Sequence, residues 1–112
     1  MQPLPPLPNA TCPLCDAPAE AARADAGNAQ FTKCVASDCG HSVVTDTART
    51  HLRHPRRAPY RLKLSRDAAA ATARGLVLRV WMERSRNYPA RPLQLRYNEI
   101  TPQSVQGDHS PD

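Results

Sequence analysis

The chain has 112 residues, a net charge of +5 and a hydrophobic content of 40%, with five aromatic residues in all. A core this thin usually needs a metal or disulfides to offset the conformational entropy of folding. No stretch approaches the roughly 18 apolar residues of a membrane span. The amino terminus also lacks the basic start and apolar stretch of a signal peptide. We therefore expect a cytoplasmic protein, in which reduced thiols favour metal binding over disulfides.

The net charge hides a strong asymmetry along the chain. Residues 1–48 carry two basic and five acidic side chains, whereas residues 49–96 carry thirteen basic and two acidic ones. Residues 97–112 carry three acidic side chains and no basic one. The positive charge is thus concentrated in the middle of the chain, where an anionic partner such as nucleic acid is expected to bind.

The chain opens with four prolines among its first eight residues. This composition predicts an extended, mobile tail over residues 1–10. A Pro-x-x-Pro spacing within it also occurs in ligands of proline-binding domains, but a solvated tail is the simpler interpretation.

Four cysteines follow in two pairs. Cys12 and Cys15 are separated by two residues, Cys34 and Cys39 by four, and eighteen residues lie between the pairs. Two tight turns that each aim two thiolates at one ion are typical of a tetrahedral four-cysteine zinc site. We predict one structural zinc held in a zinc ribbon, with a short helix from Thr45 or Asp46 to about Arg53 that completes a module over residues 11–55.

Two other arrangements use some of the same residues. Cys34 and Cys39 with His51 and His54 approach a two-Cys, two-His finger, but two of its spacings are one residue short. A redox pair at Cys12 and Cys15 is disfavoured because no strand pattern precedes it. His41 is expected to lie near a sulfur or on the surface rather than to bind the metal.

Residues 56–100 form a second, basic segment. Alternating apolar and polar residues predict strands over 60–64 and 93–97. Between them Ser65 and the following alanines predict a helix to about Arg74, and residues 76–82 predict another strand. Residues 101–112 are polar and are predicted to be a disordered tail. The fold class is therefore small α+β.

The short helix after the ribbon and the basic segment supply the candidate nucleic-acid ligands, all of them arginine or lysine: Arg49, Arg53, Arg56, Arg57, Arg61 and Lys63. Cations at this density usually meet phosphate, although a solvated arginine-rich surface is the alternative. Zinc bound by four thiolates is formally a dianion, so the acidic ribbon should repel phosphate. Any contact with DNA is expected in the helix after the ribbon and in the basic segment.

Residues 12–55 resemble the Ogr/Delta family of bacteriophage late-gene transcription activators. The resemblance rests on Cys12-Pro-Leu-Cys15, on Phe31 three residues before Cys34, on the spacing to Cys39, and on Gly40-His41 before a strand. It implies a zinc-binding activator that contacts both DNA and RNA polymerase.

Two functions from different classes follow. The first is a DNA-binding transcription regulator of phage or mobile-element type. The alternative is a zinc-ribbon module that docks on a larger protein complex and is associated with RNA. We expect no enzyme, because no nucleophile–base pair, paired carboxylates or phosphate-binding glycine loop is evident.

Overall fold

The computed structural model describes residues 10–24, 28–34, 36, 38–83 and 94–107. They form one five-stranded mixed sheet whose strands lie side by side in chain order. The strands are β1 (Ala19–Ala24), β2 (Ala29–Cys34), β3 (Ser42–Thr45), β4 (Val77–Glu83) and β5 (Gln94–Ile100). All neighbouring strands are antiparallel except β3 and β4, which are parallel. The small α+β class is confirmed.

The connection between β3 and β4 carries the two longer helices, as parallel neighbours require. These are α1 (Asp46–Leu52) and α2 (Ala58–Ala73), joined through a single 3-10 turn over Pro55–Arg57. A third, short helix, α3 (Ser104–Gly107), follows β5. In the part of the chain that the structure describes, no helix is long and apolar enough to cross a membrane.

Helix α1 begins and ends as its sequence predicts. The Thr45 hydroxyl accepts a hydrogen bond from the Ala48 amide at 3.2 Å, which caps the first turn. Pro55 follows shortly after the last turn and removes an amide that a longer helix would need. Ala48 and Leu52, four residues apart, are both fully buried and attach the helix to the sheet.

The predicted strand over residues 60–64 is wrong, because these residues lie in the first half of α2. Pro59 suits the first turn of a helix, and within α2 no β-branched residue occurs before Thr72. Leu62 is 51% exposed whereas Leu64 is fully buried, so the two leucines do not share a face. The buried stripe instead follows helical spacing through Leu64, Ala68 and Ala71.

The later strands are confirmed, with β5 three residues longer than predicted at its end. The predicted disorder from residue 101 does not hold for residues 101–107. Helix α3 forms there, and Val105 is 4% exposed in a cluster with Val43 and Val77. The predicted mobility of residues 1–9 and 108–112 concerns positions outside the described residues.

Successive side chains of a strand point to opposite faces of the sheet. On the covered face, Val44, Leu78 and Val80 pack against α1 and α2 in the larger core cluster. On the opposite side, which we call the open face, Val43 and Val77 pack with α3. Phe31 lies opposite Val43 in the register and is therefore also on the open face.

Candidate metal centre

The four cysteines that sequence spacing pairs come together at one end of the covered face. The Sγ atoms of Cys12 and Cys39 are 3.7 Å apart, those of Cys15 and Cys34 are 3.4 Å apart, and all four lie within 4.8 Å of one another. Tetrahedral coordination with metal–sulfur bonds of about 2.3 Å requires sulfur–sulfur distances of about 3.8 Å. The four sulfurs can therefore hold one metal ion.

The first cysteine pair is positioned by a tight turn that closes on itself. The Cys12 amide donates to the Ala17 carbonyl and the Asp16 amide to the Cys12 carbonyl, each at 2.8 Å. Asp16 adopts a left-handed backbone with φ of 65°, a conformation that aspartate tolerates better than most residues. This turn directs both sulfurs inward, while Leu14 between them is 2% exposed in the core.

The second pair joins the end of β2 to the start of β3. Cys34 is the last residue of β2, and the Cys39 amide donates to the Ala36 carbonyl at 3.2 Å. Gly40 then passes directly against α2: a side chain there would collide with the Ala68 carbonyl and the Thr72 hydroxyl. Only glycine lets this turn pack so closely on the helix.

Helix α2 is hydrogen-bonded to both cysteine turns. The Ser65 hydroxyl donates to the Asp38 carbonyl at 3.2 Å, and the Thr72 hydroxyl accepts from the His41 amide at 2.8 Å. The Arg61 guanidinium pairs with the Asp16 carboxylate of the first turn at 2.8 Å. The helix thus fixes the two turns relative to each other.

Two close thiols without a cation ionise unequally. A hydrogen bond from the Cys12 thiol lowers the pKa of Cys39 to about 5. The same contact and burial raise the pKa of Cys12, and burial raises the pKa of Cys15 to about 11. Full ionisation of the four thiols therefore requires a positive charge among them, which a divalent metal ion supplies.

The histidines take other roles in the described part of the chain. The group of possible metal ligands contains the four cysteines and no histidine. The His54 Nδ1 accepts the Arg56 amide at 3.2 Å and caps the 3-10 turn. The His41 ring lies edge-on to Phe31, with the ring centroids 6.4 Å apart. The geometry favours the four-cysteine set over the two-Cys, two-His alternative.

Three of the six candidate nucleic-acid ligands are engaged in contacts within the protein. Arg49 donates to Gln30 at 2.8 Å and pairs with Asp46, whose pKa is lowered chiefly by its hydrogen bond with Arg23. Arg61 pairs with Asp16, as described above. Lys63 contacts the Asp67 carboxylate at 2.7 Å and the Tyr97 hydroxyl at 2.6 Å. These contacts hold the three cations against the fold.

The other three candidate nucleic-acid ligands are exposed to solvent. Arg53, Arg56 and Arg57 are all exposed, and they lie together where α1 passes into α2. Among the described residues, none of the three has an acidic partner within 4.0 Å. We call these three residues the arginine cluster.

Sequence reasoning missed the residues that connect α2 to the metal centre. The sequence did offer one indication, which is Gly40 directly after Cys39. A glycine at such a turn indicates that the backbone packs closely against another element. The contacts of Ser65 and Thr72 had no such local indication, because each joins positions 27 or more residues apart.

Comparisons with protein-family models, with curated proteins and with solved structures give no match. The resemblance of residues 12–55 to the phage activators therefore stays a prediction.

Proposed function

We propose that Cys12, Cys15, Cys34 and Cys39 bind one zinc ion whose role is structural. The support is the mutual placement of the four sulfurs, with two pair distances of 3.7 and 3.4 Å. Four thiolates fill a tetrahedral shell and leave no position for water or substrate. The ion would stabilise the fold and take no part in catalysis, and we expect no enzymatic activity from this centre.

We further propose that the protein binds duplex DNA through the arginine cluster and acts as a transcription regulator. The observation that carries this proposal is the exposure of Arg53, Arg56 and Arg57 within five consecutive residues. Three cations this close can each neutralise a backbone phosphate and release counterions. Such contacts position a protein on DNA without reading its sequence.

The metal centre and the arginine cluster have complementary roles in this proposal. The cysteine turns are tied to α2, and the arginine cluster directly precedes that helix. Metal binding would thereby fix the connection that presents the arginines. A regulator of the type that residues 12–55 resemble would also contact RNA polymerase, and we propose that contact as a consequence of the resemblance alone.

Salt-dependent binding of duplex DNA tests the proposal. Replacing Arg53, Arg56 and Arg57 together by alanine should weaken binding to every sequence and reduce the slope of log K against log salt by up to about 0.9 per lost phosphate contact. The matched control is Lys33→Ala, which removes an exposed cation from the other side of the sheet. Its duplex affinity and slope should stay close to those of the unchanged protein.

An unchanged affinity and salt slope in the triple variant would contradict DNA binding by the arginine cluster. The alternative, a module that docks on a larger protein complex and is associated with RNA, would then be the better proposal.

A further inference from the structure

Two aromatic rings of the described residues, Phe31 and Trp81, lie on the open face. Trp81 follows Val80, which packs under the helices, so strand alternation places the indole on the open face. Phe31 lies on the same face, two strands away, with Val43 of β3 between it and Arg79. Both rings are half-buried. Val43, on the strand that lies between them, is 4% exposed. This face thus combines an apolar floor with two partly accessible rings.

Each ring has a cation over it. The Lys33 ammonium lies 5.9 Å from the Phe31 ring centroid, and the Arg79 guanidinium carbon lies 5.0 Å from the Trp81 ring. Lys33 is exposed and has no carboxylate within 4.0 Å among the described residues. A third cation, Arg96, lies opposite Trp81 on β5 and pairs with Glu83. Glu20, opposite Lys33 on β1, and Glu83 lie on the same face, so among the described strand residues of this face the cations outnumber the carboxylates by three to two.

An aromatic ring with an adjacent cation fits the two parts of a nucleotide. A base can displace the cation from the ring face and stack there, and the displaced cation can pair with the phosphate, so the pair recognises a nucleotide without selecting its sequence. In duplex DNA the base faces are covered by their neighbours, and they cannot stack on a protein. The chemistry of this face therefore suits an unpaired strand.

We propose that the open face binds single-stranded nucleic acid, with bases stacked on Phe31 and Trp81 and phosphates held by Lys33, Arg79 and Arg96. Phe31 is level with Arg79 and Trp81 is two residues further along β4, so spacings of about 4.8 Å per strand and about 3.3 Å per residue place the two positions roughly 12 Å apart on the sheet. Bases at that distance are splayed from one extended strand, as single-strand-binding sheets require. This activity goes beyond the proposed duplex binding, because the arginine cluster lies outside this face and contributes nothing to it.

Trp81 is the chain's one tryptophan, so its fluorescence reports on this face directly. We expect titration with a fifteen-nucleotide oligothymidylate to quench the emission, and with oligouridylate as well. Comparison of oligouridylate with oligodeoxyuridylate, which differ only in the 2′-hydroxyl, identifies the preferred sugar. An abasic oligonucleotide of equal length retains the phosphates and should bind more weakly with little quenching. Equal quenching by the abasic strand, or no quenching by either base-containing strand, would overturn the proposal.

A pair of matched aromatic substitutions locates the bound strand. Phe31→Leu keeps an apolar side chain but removes the stacking surface, and we expect roughly tenfold weaker binding of oligothymidylate. Tyr97→Leu removes an aromatic ring that is 39% exposed on the helix side, and it should leave the affinity unchanged. Equal losses in the two variants would contradict binding at the open face.

Two further variants separate this proposal from that for duplex DNA. Lys33→Ala changes an exposed side chain, so it should fold normally while weakening oligothymidylate binding and reducing its salt slope. The triple alanine variant of the arginine cluster should retain the full Trp81 response. If Lys33→Ala binds oligothymidylate normally and the triple variant does not, the single strand binds at the arginine cluster and the proposal for the open face is wrong.

Discussion

The two faces of the sheet are built from alternate residues of the same strands, yet they differ in what covers them. On the covered face Val80 is fully buried beneath the helices, while Trp81, the next residue, is half-buried on the open face. The cysteine cluster also lies on the covered face. Cys12, Cys34 and Cys39 are buried in the same core as Val80. One strand can therefore supply a stabilising core on one side and a binding surface on the other.

Removal of the metal should disrupt the covered face more than any of the substitutions described below. Cys12, Cys34 and Cys39 belong to the same buried cluster as Leu64 and Val80, so loss of the ion that holds the four sulfurs together would disrupt packing well beyond the cysteine turns. We expect a chelator to abolish the amide dispersion of residues 12–44, and of α2 and β4 as well. A two-dimensional amide spectrum recorded after verified removal of zinc checks this. Retained dispersion throughout these residues would contradict the structural role of the metal.

A pair of leucines in α2 tests which side of the helix faces the sheet. Leu64→Ala should lower the free energy of unfolding by about 2–5 kcal/mol, because its side chain is fully buried. Leu62→Ala should change it by less than about 0.5 kcal/mol, since Leu62 is 51% exposed. Chemical denaturation of the zinc-loaded proteins measures both values. Similar losses would support a strand over residues 60–64, in which the two leucines share a face.

Disrupting the contact between α2 and the second cysteine turn should cause the next largest loss in the free energy of unfolding. Gly40→Ala places a methyl group against the Ala68 carbonyl, and we expect a loss of about 1–3 kcal/mol in the free energy of unfolding. Gly75→Ala is the control, because its site has free space and only the left-handed backbone, with φ of 77°, opposes the change. Zinc affinity should fall in the Gly40 variant alone. A Gly40 variant with unchanged stability and zinc affinity would show that this close approach is unimportant.

Removing the ion pair between Arg23 and Asp46 should change the free energy of unfolding least. The Asp46 carboxylate is about half exposed, with a side-chain exposure of 47%, so a double-mutant cycle with Arg23→Ala and Asp46→Asn should give a coupling energy of about 0.2–1 kcal/mol. Arg23 lowers the pKa of Asp46. The stabilisation is therefore complete above the unfolded pKa of about 3.9 and disappears as the pH falls through the lower folded value. A coupling above about 2 kcal/mol at neutral pH and high salt would contradict this assignment.

Local spacing was sufficient to predict the cysteine turns, α1 and the later strands. Both cysteine pairs are set by turns of a few residues, and the cap at Thr45 and the stop at Pro55 act within one or two helical turns. Over residues 60–64 the same approach failed, because five residues that alternate in polarity also place Tyr60 and Leu64 one helical turn apart. The long alanine-rich continuation decided the outcome in favour of the helix.

What could not be predicted is set by contacts between distant parts of the chain. The ion pair of Arg61 with Asp16 spans 45 residues, and it removes one candidate cation from the solvent. The parallel pairing of β3 with β4 brings Val43 beside Arg79 across the helical connection. Because no local pattern encodes such pairings, the sequence could not reveal that Phe31 and Trp81 share the open face.

The zinc content of single-residue variants tests the central claim most directly. Native mass spectrometry of the unchanged chain should show one zinc per molecule, and Cys12→Ser should lose it or bind it far more weakly. His51→Ala should retain one zinc, because the cysteines alone form the cluster of ligands in the described residues. Loss of zinc in the His51 variant with retention in the Cys12 variant would contradict the four-cysteine centre and favour the two-Cys, two-His site.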